Sequence, residues 1–93
     1  MKRADFDEKA ILSQLEELAN SLGVEVRYEK IQKESSFFPG GLCTIHGKKI
    51  LIINSLASSE DKISIFIKSV KDFDLNEIFI RPALRELIAG YQG

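Results

Sequence analysis

Apolar residues along the chain change their spacing several times, and each change marks an element. Between Phe6 and Leu22, the residues Ile11, Leu12, Leu15, Leu18, Ala19 and Leu22 recur at threes and fours, the period of a helix with one buried stripe. Asp5 with Glu8 three residues on has the form of an acidic capping box and suits the positive end of the helix dipole. Gly23 supplies the left-handed residue on which helices often stop. The period then falls to two across Val24-Glu-Val-Arg-Tyr-Glu-Lys-Ile31. Val24, Val26 and Tyr28 share one face and Glu25, Arg27 and Glu29 the other, which predicts a strand with one solvated side.

Residues 32–41 mix polar side chains with Phe37-Phe38 and a Pro39-Gly40-Gly41 punctuation, and read as the longest loop. A hairpin follows, with strands at about Leu42 to Ile45 and Lys49 to Asn54 and a two-residue turn at His46-Gly47, both of which tolerate positive φ. That turn sets Ile45 against Lys48, Cys43 against Ile50 and Leu42 against Leu51. Ile50, Leu51, Ile52 and Ile53 are apolar at four successive positions. Such a strand is either central with both faces covered or lies at a subunit contact.

Ser58 and Asp61 imitate a second capping box, and Ile63, Phe66, Ile67 and Val70 fall at i, i+3, i+4 and i+7. The β-branched content leaves a strand over Ile63 to Ile67 as the rival reading; the cap and the polar side formed by Lys62, Lys68 and Lys71 favour the helix. Ile78-Phe79-Ile80 reads as a short edge strand. Arg81-Pro82 opens a last helix with proline in its first turn, Leu84, Leu87 and Ile88 face inward, and Gly90 ends it. The prediction is one α+β domain over residues 1–93, in the order α-β-β-β-α-(β)-α. Its sheet is a three- to four-stranded, mainly antiparallel meander with helices packed on one face.

Composition narrows the function. The chain has 93 residues and one Cys, so no internal disulfide supports it and the core must suffice. No apolar run approaches the roughly 20 residues that span a bilayer. Met1-Lys-Arg-Ala-Asp-Phe-Asp7 is not followed by an apolar stretch of the secretory kind. The expectation is therefore a cytoplasmic protein with no membrane partner. Thirteen basic and fourteen acidic residues leave a net charge of −1, without the field that drives nucleic-acid binding, so no nucleic-acid partner is expected.

Candidate chemistry is sparse. Cys43 and His46 are the only Cys and His, and residues three apart on a regular strand point to opposite faces. They read as a small buried residue and a turn residue, not as a thiolate–imidazole pair, and two soft ligands leave a zinc ion half empty. Gly47-Lys48-Lys49 lacks the spacing of a phosphate loop. The acidic groups Asp5/Asp7/Glu8, Glu16/Glu17 and Glu60/Asp61 sit at helix starts or on polar helix faces. Arg27, Lys30, Lys33, Lys48 and Lys49 read as a solvated sheet side. Gly40-Gly41 permits close approach of a ligand or merely aims the chain into a strand; Phe37 and Phe38 anchor a partner or fold over the core edge. The candidate binding residues are Phe37, Phe38, Gly40, Gly41, Arg27 and Tyr28, with Ile52 and Ile53 as candidate interface residues, and no catalytic residue, metal ligand or cofactor is expected.

The helix followed by Leu22-Gly23-Val24-Glu25-Val26-Arg27-Tyr28, then Gly40-Gly41-Leu42 and Gly47-Lys48-Lys49-Ile50-Leu51-Ile52-Ile53-Asn54, resembles the N-terminal part of the ImmA/IrrE-type zinc metallopeptidases. The resemblance spans about residues 8 to 70. It implies a small sheet whose last strand leads into the helix that, in those enzymes, carries His-Glu-x-x-His. Here that helix, Asp61-Lys-Ile-Ser-Ile-Phe-Ile-Lys-Ser-Val-Lys71, has no histidine, so neither zinc ligand nor general base is carried over. The functional expectation is a small non-catalytic protein-interaction or regulatory module that self-associates, as a homodimer. A small-ligand-binding domain using the 32–41 loop is the alternative, and a Cys43-dependent enzyme the third reading.

Overall fold

The computed structural model describes residues 7–32 and 38–91. Its elements are α1 (Glu8–Ser21), β1 (Glu25–Glu29), β2 (Gly40–Ile45), β3 (Lys48–Asn54), α2 (Ser59–Val70) and α3 (Pro82–Gly90), an α+β fold. The α1 cap is Asp7, whose side chain accepts the Lys9 N–H at 3.3 Å; the expected capping residue Asp5, like Phe6, lies outside the described residues. Gly23 takes φ +80° just past α1. Ser58 Oγ accepts the Asp61 N–H at 3.1 Å and starts α2, so the capping signal prevails over the β-branched content of Ile63 to Ile67. His46 and Gly47 both have positive φ (51° and 79°), the hairpin geometry that matches strand twist. The predicted facing pairs Ile45↔Lys48, Cys43↔Ile50 and Leu42↔Leu51 all occur.

The sheet differs from a meander. Its order is β1-β3-β2, with β1 parallel to β3 and β2 antiparallel to it. The reason lies in β3: apolar at four successive positions, it is best satisfied at the centre, flanked by a strand on each side. No fourth strand forms at residues 78–80, where Ile80 is buried and Phe79 projects into solvent. Edge pairing loses there to packing of Ile80 with the helical core.

The helices cover one sheet face. Leu51 and Ile53 of β3 enter a cluster with Leu15 of α1, Phe66, Ile67 and Val70 of α2, and Leu84 and Ile88 of α3. The first six of these are fully or almost fully buried, each contributing about 1.5–3 kcal/mol of transfer free energy. Lys49 points to the same side and places its Nζ 4.6 Å from the centre of the Phe73 ring, extending that face toward the α2–α3 connection. Arg85 of α3 donates to the carbonyls of Leu75 and Ile78, both at 3.4 Å, and steadies that connection.

Asn54, at the end of β3, is the one buried polar side chain among the described residues. Its Oδ1 accepts the N–H of Ile31 (3.2 Å) and of Leu56 (3.0 Å), and its Nδ2 donates to the carbonyls of Ile31 (2.9 Å) and Phe38 (2.7 Å). Two donors and two acceptor positions are thus all used. The chain leaving β1 must pass the end of β3 to reach the far side, and Asn54 holds both legs of that crossing. Gly40 follows, with φ +141°, and a Cβ there would lie 2.3 Å from the Ile52 carbonyl oxygen; only glycine fits.

Asn54→Leu would remove the four bonds that the amide makes to the backbone of Ile31, Phe38 and Leu56, and a loss of about 3 kcal/mol or more is expected in urea unfolding. A loss below about 1 kcal/mol would show that the crossing does not depend on the amide. Gly40→Ala should cost clearly more than Gly23→Ala, because Gly23 has φ +80° but open space around it and should lose only about 1 kcal/mol. Equal losses would refute the close approach at Ile52.

Candidate functional site

Strand pairing assigns the side chains of the sheet to two faces. Arg27, Ile52 and Gly41 lie in one row across the strands, and Glu25, Ile50 and Cys43 in the next, on the face away from the helices. Glu25 is paired with Arg27 and, at 3.1 Å, with Lys48. The Arg27 guanidinium first, and then the Lys48 ammonium, hold the Glu25 carboxyl below the usual glutamate range, and Glu25 in turn raises Arg27. The β1 half of this face is therefore charged and internally neutralised. The β2 half is uncharged: Gly41, Cys43 and Ile45, with the Phe38 ring over Gly41, its Cζ 3.7 Å from where a Cβ would stand.

The two edges of the sheet differ in the same way. β1 carries Glu25, Arg27 and Glu29 along its length, and charges of this kind deter a further strand. β2, Gly-Gly-Leu-Cys-Thr-Ile, has no charge and no proline. Among the described residues no strand pairs with its outer side. Ile45 is 44% exposed, Leu42 40% and Phe38 37%, so three of the few large exposed hydrophobic residues line this one edge. The Asn54 N–H donates to the Pro39 carbonyl at 2.9 Å, one step beyond the Gly40↔Ile53 pair. That rung sets the phase of the ladder: Gly41, Cys43 and Ile45 bond to β3, whereas Leu42 and Thr44 turn their N–H and C=O groups outward.

The predicted site residues are only partly brought together. Gly41, Phe38, Arg27 and Ile52 share the open face. Tyr28 points to the other side, where its hydroxyl donates to Glu16 of α1 and Lys62 Nζ stands 5.9 Å from its ring centre, so Arg27 and Tyr28 do not form one binding neighbourhood. Gly40 is filled by the Ile52 backbone and offers no room to a ligand. Ile53 is fully buried beneath the helices; it is a core residue, not an interface residue, because it lies on the face of β3 that the helices cover. Phe37, and Lys33 of the basic group, lie outside the described residues. The remaining basic residues do not form one patch, since Lys49 sits over Phe73 and Arg27 and Lys48 are spent on Glu25.

Leu42, Thr44 and Ile45 were not singled out by sequence. The signal that identifies them is indirect: a doubly apolar β3 belongs in the centre, which leaves its hairpin partner at an edge. Cys43 donates to the Ile50 carbonyl at 3.5 Å, while His46 occupies the turn. Among the described residues, no three His, Cys, Asp or Glu side chains gather in a metal-binding group, and no helix is long and apolar enough to cross a membrane. A shallow groove of about 180 Å³ lies between α1 and α3, lined in part by Glu17, Leu18, Arg81 and Leu84 with the 84%-exposed Phe79 at its rim. No known protein family, curated protein or solved structure matches the chain.

Burial, and then the bond to Glu16, raise the Tyr28 hydroxyl above its ordinary value of 10.0. Above pH 10 the unfolded chain therefore gives up this proton before the folded one does, and stability falls as pH climbs through that range. The fall is modest, because the ring is 43% exposed and solvent screens the interaction. Tyr28→Phe should flatten it in unfolding curves at pH 9 to 11; an unchanged slope would separate Tyr28 from the alkaline response.

Proposed function

We propose that the protein is a small non-catalytic protein-interaction module of the cytoplasm, and that it binds an extended polypeptide by strand addition at β2. One observation carries the reading: β2 is an uncharged edge strand with outward backbone groups at Leu42 and Thr44, flanked by the exposed side chains of Phe38, Leu42 and Ile45. Main-chain bonds of this kind supply affinity, and side chains alternating on the two faces supply selectivity. The opposite edge shows the usual protection by charge, so the exposure of β2 is specific to that strand. The likeness to the metallopeptidase scaffold fits the same reading, a framework without the histidines of the zinc helix. A panel of short, uncharged, extended peptides tests it. The amide resonances of Leu42 and Thr44 should shift on titration while those of β1 stay in place; an edge silent to every peptide, in a chain that is also strictly monomeric, would overturn the reading.

A further inference from the structure

Resting on that reading, we infer that the strand received at β2 is the β2 strand of a second copy of this chain. It is added antiparallel about a two-fold axis at Cys43, so that two three-stranded sheets become one of six strands. Leu42 and Thr44 are the outward residues of the regular part of β2, and Cys43 lies midway between them. Centring on Cys43 places Leu42 opposite Thr44 of the second copy and Thr44 opposite Leu42. Both rungs are then hydrogen-bonded in both directions, and all four outward groups of each strand segment are satisfied. Centring one residue earlier would instead require Gly40, whose φ of +141° departs from strand geometry.

The side chains fit the same register. On the open face Ile45 of one copy stands opposite Gly41 of the other, where the missing side chain leaves space and the Phe38 ring lies over the glycine. An exposed β-branched residue and an exposed aromatic ring are thereby covered together, a cross-strand combination of the kind that stabilises sheets. On the helix-covered side Leu42 meets Thr44. Charge favours a second copy over a charged strand: β2 offers no charge to complement one, and the nearest lysines, Lys48 and Lys49, lie one strand inside each copy. Like charges of the two copies are therefore kept apart by both β2 strands. The axis also sets the two Cys43 residues face to face as a non-hydrogen-bonded pair. Cα atoms in such a pair are about 4.5 Å apart, within the roughly 4.4–6.8 Å that a disulfide spans.

Sedimentation equilibrium of the full chain from low micromolar to millimolar concentration should move from the 10.5 kDa monomer to twice that mass. Thr44→Lys should weaken the dimer at least about tenfold by placing an unpaired charge at the junction. Diamide, accepting the two thiol protons and two electrons, should join Cys43 to Cys43 rapidly in the native wild type and far more slowly in Thr44→Lys or in urea. Should Thr44→Lys fail to fold, the cross-linking contrast between native and urea-treated wild type decides alone. A dimer indifferent to Thr44→Lys but lost in Phe79→Ser would place the contact at the α1–α3 groove and overturn the inference. A monomer at every concentration whose Leu42 and Thr44 amides still respond to peptides would exclude the second copy and leave the interaction module standing; a monomer with a silent edge would remove both.

Discussion

The side-chain amide of Asn54 fixes the topology on which the rest of the molecule depends. β1 ends beside β3, yet the next strand must lie on the far side of β3, so the chain has to cross the end of the central strand. A crossing there breaks the ladder and exposes backbone groups inside the protein, each costing about 1–3 kcal/mol if left unpaired. Asn54 removes that cost by serving as a short piece of strand: its amide bonds both the N–H and the C=O of Ile31, as a neighbouring backbone would, and takes the Phe38 carbonyl and the Leu56 N–H with its remaining capacity. An aspartate has no donors for the two carbonyls, and an apolar residue has neither donor nor acceptor. Just beyond, Gly40 lets the entering strand press against the Ile52 carbonyl, where any Cβ would collide. Amide and glycine together seat β2 against β3 from its first residue.

From that seating the character of each edge follows. With β1 and β2 on either side, β3 buries Leu51 and Ile53 under the helices and Ile50 on the opposite face, and leaves Ile52 half-buried on the open face. β1 is closed off by charge and held to α1 by the Tyr28–Glu16 bond. β2 remains the strand with outward backbone groups and uncharged neighbours. The part of the sheet that is open to a partner is thus set by the strand order, and the strand order by the crossing at Asn54.

Much of this was legible in the sequence. The helices, the hairpin with its register and turn, and the α+β class follow from periodicity, capping residues and a dipeptide suited to positive φ, because these are local properties carried by neighbouring residues. The strand order was not legible, since pairing partners far apart in sequence leave no local mark; a meander and the observed order use the same strands. The error propagated to the site. Read as a strand at a subunit contact, β3 offers Ile52 and Ile53 as contact residues; with β3 central and its helix-facing side covered, Ile53 is core and the exposure passes to Leu42, Thr44 and Ile45. Asn54 looked like the polar end of a strand, and only its bonds to Ile31, Phe38 and Leu56 distinguish it from a surface asparagine. The failed strand at residues 78–80 has the same origin: Ile80 is drawn into the helical core, whose geometry no window of sequence contains.

An edge strand without charge is a hazard for a soluble chain, and proteins usually blunt such edges with lysine, proline or a bulge. Here the means of protection are present one strand away. Lysines occupy the start of β3, proline sits immediately before β2, and the distortion at Gly40 affects its first residue alone. The stretch from Gly41 to Ile45 escapes all three. A chain that guards β1 with three charged residues in five, while leaving β2 with none, treats its two edges as different objects. The proposed strand pairing would account for that asymmetry: a charge at Leu42 or Thr44 would protect the monomer and would also abolish the proposed contact.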